Sequence, residues 1–436
     1  MQYFSTNRQS ARVSFREATL KGQPDDKGLY FPEQIPSLSD EFWQNFATKS
    51  KANIAFEVIK PFVGNDIDDE TLFQICAETV NFDFPLVKIT ENISTLELFH
   101  GATLAFKDVG ARFMSRCLRH FSKEKSEKTI VIVATSGDTG GAVANGFYNV
   151  DGVEVVILYP KGKVSRVQEL QLTTLGKNIT ALEVEGTFDD CQALAKTALA
   201  DDSIKSKVFL TSANSINVAR WLPQQFYYFY AFQQWQIRNP QSAIRNPVVC
   251  VPSGNFGNIC AGILAHISGL PVEKFIAATN ANDVIPNFMQ SGKMEEKSSV
   301  ATLSNAMDVA KPSNFVRILE IFDNDYLNLK EKMESVSISD EVTANTMREV
   351  FEKYNYILDP HGAVGFRALS DYLSKNEGEG FFLETAHPIK FDSVAEIVGT
   401  FGEIPESVKE LYEKEKQSIE IKANYEDLKD LLMSKV

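Results

Sequence analysis

From residue 85 onward, short apolar runs rich in Val and Ile alternate with segments long enough to be helices, and this alternation leaves few folds open. The runs cover residues 129–134, 153–158, 179–184, 208–210, 248–251, 275–279 and 381–383. Most are apolar at odd and even positions alike, so both faces must be covered. Stretches such as 168–174 and 190–200 have the character of crossover helices. The fold class is therefore α/β with mainly parallel sheets. Residues 1 to about 85 read differently, as helical and irregular. They carry turns at Gln23-Pro24-Asp25-Asp26 and Phe31-Pro32-Glu33 and helix starts near Ser37 and Asp66.

At 436 residues the chain exceeds one simple core and suggests two or three domains. A net charge of −14 argues against nucleic acid as a partner, because a phosphate backbone needs a basic surface. It leaves room for a small anionic substrate in a local basic pocket. The five cysteines are scattered, with no CxxC pair, and read as reduced thiols with no zinc site. The first residues lack the apolar core of a signal peptide, and no apolar run approaches the roughly 20 residues of a membrane span. The cytoplasm is the expected location, with no membrane partner.

Several strands run straight into small polar loops, which in open parallel sheets is where ligands bind. Ser253-Gly254-Asn255-Phe256-Gly257-Asn258 lies between the run 248–251 and an apolar helix at 259–267. Its glycines allow close backbone approach, and a helix start offers free N–H groups to an anion. A plain strand-to-helix turn fits the same residues. Thr135-Ser136-Gly137-Asp138-Thr139-Gly140-Gly141 has the same context, with hydroxyls suited to a carboxylate or phosphate. There Asp138 suits an orienting role, and a capped turn again competes. Lys107 follows Leu104-Ala105-Phe106 and so reads as partly buried, which would lower its pKa and make its amine nucleophilic, although taken alone these residues fit a snorkelling helix lysine better. Thr385 stands at the exit of the last apolar run. His100, His120, His266 and His361 show no metal or triad spacing.

Residues 98–108, Leu-Phe-His-Gly-Ala-Thr-Leu-Ala-Phe-Lys-Asp, resemble the cofactor-lysine segment of the threonine synthase family. Residues 134–141, 253–258, 302–315 and 385–391 resemble further segments of that family, in its order, as do Tyr3, Ser5, Thr6 and residues 28–32. The resemblance is to the long bacterial and fungal form. Ala102, Ala310-Lys311, Val316 and Ile389 depart from its usual pattern.

The resemblance implies a fold-type II pyridoxal-phosphate (PLP) enzyme, like tryptophan synthase β. Two open, mainly parallel sheets would be covered by helices, beside a mainly helical N-terminal domain. The division expected is 1–90 for the N-terminal domain, 91–235 for a small α/β subdomain and 236–436 for a large one. Lys107 would carry PLP through a Schiff base. Gly254, Asn255, Phe256, Gly257 and Asn258 would cradle its phosphate, and Thr385 would face its ring nitrogen. Ser136, Asp138 and Thr139 would hold substrate or the ring oxygen. Asn217 and Arg220 are further candidates for the substrate, with Lys163 and Arg166 equally suited to the surface. The implied reaction, that of a carbon–oxygen lyase, turns O-phospho-L-homoserine and water into L-threonine and phosphate, in a monomer or homodimer. A serine/threonine dehydratase or a catalytically silent binding protein would use many of the same residues. A dinucleotide-binding Rossmann protein is disfavoured by the missing G-x-G-x-x-G.

Overall fold

The computed structural model describes residues 1–122, 129–238, 245–295 and 297–435. Among these residues fourteen strands form three sheets: β1 (Gln2–Ser5), β2 (Val13–Ser14), β3 (Tyr30–Pro32), β4 (Leu86–Lys88), β5 (Ile93–Glu97), β6 (Thr129–Ala134), β7 (Val153–Pro160), β8 (Ile179–Glu185), β9 (Phe209–Ser212), β10 (Val248–Pro252), β11 (Lys274–Thr279), β12 (Met333–Ser337), β13 (Gly380–Glu384) and β14 (Ile419–Lys422). The all-apolar runs form sheet centres, since β10 and β13 are buried along their whole length. One sheet has the order β12-β11-β10-β13-β5-β4 and is parallel except for the β4–β5 edge pair. The other, β14-β8-β7-β6-β9, is parallel throughout.

Sheet membership departs from a linear division of the chain: β4, from the expected 1–90 segment, is an edge strand of the six-stranded sheet. β5, from the expected 91–235 segment, pairs with β13. β14, near the C-terminus, pairs with β8. The chain therefore crosses between the sheets more than once.

The N-terminal segment is less purely helical than expected. β1 pairs antiparallel with both β2 and β3. The anticipated helix starts appear two residues on: Ser39 and Asp68 cap Asp40–Gln44 and Asp69–Thr79, each side chain accepting a backbone N–H. This segment shares its core with the rest of the molecule. Phe15 packs edge-on against Phe113 and Phe121, at centroid distances of 6.5 and 6.3 Å. All five cysteines are buried and unpaired. No helix among the described residues is long and apolar enough to cross a membrane.

For the site, the decisive relation is that β10 and β13 are adjacent parallel strands, with Cys250 opposite Phe382. Their carboxyl ends leave the same sheet edge side by side, about 5 Å apart. One end opens into residues 253–258 and the other into Thr385.

Candidate active site

Lys107 is the first residue of the helix Lys107–Ser122. The loop before it is fastened to the exit of β13 by a short antiparallel ladder. Phe106 N donates to Thr385 O at 2.9 Å, His387 N donates to Leu104 O at 3.0 Å, and Ala105 bridges Ala386. Leu104 takes a left-handed conformation, φ 56°, to make the turn. Asp108 braces the loop from inside, accepting Thr103 N at 2.8 Å and the Thr103 hydroxyl. Two sequence-distant candidates, Lys107 and Thr385, are thus brought within a few residues of each other by backbone pairing.

The glycine loop is held as tightly. Ser253 N donates to Ala278 O and its hydroxyl to Val251 O, both at 2.8 Å. Asn255 donates to Ser215 Oγ at 2.7 Å and accepts Ser313 N at 2.6 Å. Phe256 takes φ 59°, and Gly257 opens the helix Gly257–Ile267. Asn258 accepts the Tyr228 hydroxyl on its Oδ1 at 2.6 Å and on its carbonyl at 2.9 Å. Its Nδ2 is buried with no protein partner. A buried donor without an acceptor needs an explanation. Together with a helix start, it fits a phosphate. The neighbouring Tyr227 hydroxyl donates to the Phe106 carbonyl, beside Lys107. Two consecutive tyrosines therefore reach the two halves of the site.

A Cβ on Gly254 would stand 2.7 Å from the Met307 Cα, a backbone atom that cannot swing away. Gly254→Ala is expected to weaken cofactor affinity at least about tenfold by displacing the loop. Titration of the cofactor-free variant against the visible absorption of bound cofactor measures this.

The third loop contributes charge. Asp138 is buried, its Oδ2 3.5 Å from Lys107 Nζ and its Oδ1 2.9 Å from both Lys390 Nζ and Gln168 Nε2. Burial pushes the carboxyl up, but the Lys390 and Lys107 charges outweigh it and hold it well below the usual range. Burial lowers the Lys107 amine; Asp138 opposes this, while Lys390 and Arg220 add to it. Ser136 is exposed and Thr139 partly so.

Asn217 has its side chain engaged within the protein. It is fully buried, donates to Thr19 O and accepts Ala219 N, both at 2.9 Å, as the cap of a helical turn. Arg220 is buried beside Lys107's helix, donates to Ala213 O at 2.5 Å and keeps an unpartnered Nε. Burial pushes its guanidinium down to about 10. Lys163 and Arg166 lie at the surface. A surface cavity of about 480 Å³, lined by Gly28, Ile216, Pro312 and Phe315 among others, does not include Lys107, Asn258 or Thr385.

Sequence reasoning did not single out Lys390, Gln168, Tyr227 or Tyr228. Lys390 alone carried a signal, a charge set between Ile389 and Phe391. Also missed was Glu384, fully buried at the end of β13, which accepts Asp359 N at 2.7 Å. Burial and the Asp359 carboxyl raise its pKa well above the carboxylate range.

A largely buried lysine tied to the exit of β13 and a glycine loop with a spare donor at the exit of the adjacent β10 suit a cofactor that bears both an aldehyde and a phosphate. Residues 93–380 match the family model described as Pyridoxal-phosphate dependent enzyme, and the chain is an enzyme of that class, with the fold-type II architecture. Residues 2–80 match the model for the threonine synthase N terminus and residues 362–432 that for the threonine synthase C-terminal part. A threonine synthase of Serratia marcescens is 42% identical, covering 99% of each chain. The crystal structure of threonine synthase from Escherichia coli is similar with a TM-score of 0.91 at 41% identity, covering 100% of both chains. The PLP-bound threonine synthase of Brucella melitensis gives a TM-score of 0.93 at 32% identity, covering 100% of this chain and 99% of that one. The chain belongs to the threonine synthase family.

Proposed function

We propose that the protein acts as a threonine synthase, converting O-phospho-L-homoserine and water to L-threonine and inorganic phosphate, the last step of threonine biosynthesis. The observation that carries this reading is full-length membership of the family combined with the backbone ladder that sets Lys107 beside Thr385. PLP would be held by Lys107, by residues 254–258 through their amides and the Asn258 Nδ2, and by Thr385. When bound, it supplies the electron sink that lets carbon–hydrogen bonds near the substrate's amino group ionise.

The chain's own residues supply the rest. The Lys107 side chain keeps 17% of its area open, enough to face a ligand while staying largely dry. The amine, whose pKa burial lowers, is placed to accept a proton from a substrate carbon and to return it later. Proximity then replaces a bimolecular encounter. Ser136 and Thr139 offer hydroxyls to the substrate carboxylate. Arg220, buried beside the Lys107 helix, lends its positive charge to the substrate's anionic end. Asn217 drops out of this set, since both ends of its amide are engaged within the protein. A net charge of −14 supports a small-molecule partner over nucleic acid, and five unpaired thiols support a cytoplasmic setting, as monomer or homodimer.

The test is release of inorganic phosphate from O-phospho-L-homoserine, with threonine formed in equal amount. A 2-oxo acid and ammonia from serine or threonine, without phosphate release, would assign a dehydratase instead. A yellow protein that turns over none of these would be a silent binder.

A further inference from the structure

We infer that Lys390 is a positioning residue for Lys107: its buried ammonium anchors and neutralises Asp138, so that the Lys107 amine faces a compensated carboxylate rather than a bare one. The inference rests on the reading of Lys107 as the cofactor lysine.

Lys390 has no exposed area. Its Nζ lies 2.9 Å from Asp138 Oδ1 and donates to the Thr103 carbonyl at 2.7 Å. It thereby joins three loops from distant parts of the sequence: residues 388–390 after β13, the turn before Lys107, and the Asp138 loop. Gln168 Nε2 meets the same Oδ1 at 2.9 Å. The other oxygen, Oδ2, is left for Lys107 at 3.5 Å. Each carboxylate oxygen thus has its own lysine.

The electrostatic consequence follows from the sign of each charge. A lone carboxylate 3.5 Å from an amine in a dry site favours the ammonium form, which is neither nucleophilic nor basic. A second cation on the far oxygen weakens that pull and adds its own repulsion. The other charged groups acting on Lys107 or its loop are Arg220, which also opposes a charge on Lys107, and Asp108, turned away onto Thr103. Tyr227 presents only a hydroxyl, already donated to the Phe106 carbonyl. The Phe106 ring centroid lies 5.6 Å from Lys107 Nζ. Lys390 and Arg220 together balance the Asp138 and Asp108 carboxyl groups, so the cluster needs no charge on Lys107.

A merely structural lysine would hold the loops together without altering how Lys107 titrates. The experiment is therefore a pH profile of cofactor recapture: the full chain is stripped of PLP, and the growth of visible absorption on adding it back is timed from pH 6 to pH 10. Lys390→Gln keeps a donor for Thr103 and Asp138 but loses the charge. Its midpoint is expected to rise by about one pH unit or more, slowing recapture about tenfold or more at pH values below the midpoint. Lys390→Arg should keep the wild-type midpoint, and Asp138→Asn combined with Lys390→Gln should return to it. A Lys390→Gln profile that overlays the wild type overturns the inference. Should that variant not fold, Asp138→Asn with Lys390 intact must lower the midpoint, and an unmoved midpoint is equally fatal. If the wild-type chain itself forms no visible band, the Lys107 reading fails instead.

Discussion

Lys107→Ala is expected to lower turnover by about four orders of magnitude and to remove the visible band of the bound cofactor. Both the covalent hold on the cofactor and the proton carrier at the substrate carbons disappear with one amine. The loss should be chemical rather than structural. Lys107 begins its helix instead of packing within it, and its side chain is 17% open. The Asp138 carboxylate it leaves behind still has Lys390 and Gln168, each at 2.9 Å. Far-ultraviolet circular dichroism and the urea midpoint should therefore match the wild type. Lys107→Arg makes the stricter control, because it restores the charge but not a condensable amine and should be as inactive as alanine. A Lys107→Ala protein with both its colour and its turnover intact would sink the assignment.

How far the sequence revealed this depended on burial. Runs such as Val248–Pro252 and, within β13, residues 381–383 are apolar throughout because helices cover both faces, and that signal needs no context. β12, Met-Glu-Ser-Val-Ser, and β14, Ile-Glu-Ile-Lys, sit at sheet edges, where one flank meets solvent and the alternation fades into a polar background. β5 is more instructive. It lies inside a sheet, yet Ser94, Thr95 and Glu97 hide it. Glu97 is there to meet the Tyr356 hydroxyl at 2.9 Å and His100 at 2.7 Å, a demand no local pattern announces.

The loops of the site were legible for a different reason: each follows an apolar strand, and strand exits are where polar residues gather. Their mutual placement was not legible. Nothing in Ala105 or Ala386 encodes that they pair, since the ladder is made of backbone atoms that every residue has. Asn217 shows how one residue type serves two ends. An Asn in a Ser- and Asn-rich loop reads as a ligand donor, but the same chemistry makes it a helix cap, and the cap is what the fold uses. The particular reaction was indicated by several motifs in a fixed order, not by any one loop.

Arg317→Ala is expected to destabilise the protein by about 4 kcal/mol. Arg317 is completely buried with no carboxylate beside it among its hydrogen-bond partners. Its Nε and Nη2 donate to Tyr30 O at 3.1 and 2.8 Å, Nη2 also to Ile216 O at 2.6 Å, and Nη1 to Asn314 Oδ1 at 2.8 Å. Its guanidinium carbon lies 4.2 Å from the Trp221 ring centroid. One planar group thus ties the N-terminal sheet, the loop before Arg220 and the segment leading into helix Phe315–Ile321. Truncation would leave three buried acceptors without donors, each worth about 1–3 kcal/mol, and open a cavity beside the indole. The burial penalty of the guanidinium itself, which pushes its pKa down to about 10, is relieved and offsets part of that loss. Arg317→Lys should fall between wild type and alanine, since a point charge cannot span three acceptors. The damage should also reach the cofactor. Asn314, released from Arg317, donates to Asn255 O at 3.2 Å from both its backbone and its side chain, so the glycine loop loses its backing. Urea unfolding with and without PLP separates the two effects: the cofactor-free midpoint reports the lost tie, and a reduced gain on adding PLP reports the loosened loop. An alanine variant whose cofactor-free midpoint equals the wild type would show that the buried guanidinium contributes nothing net to this junction.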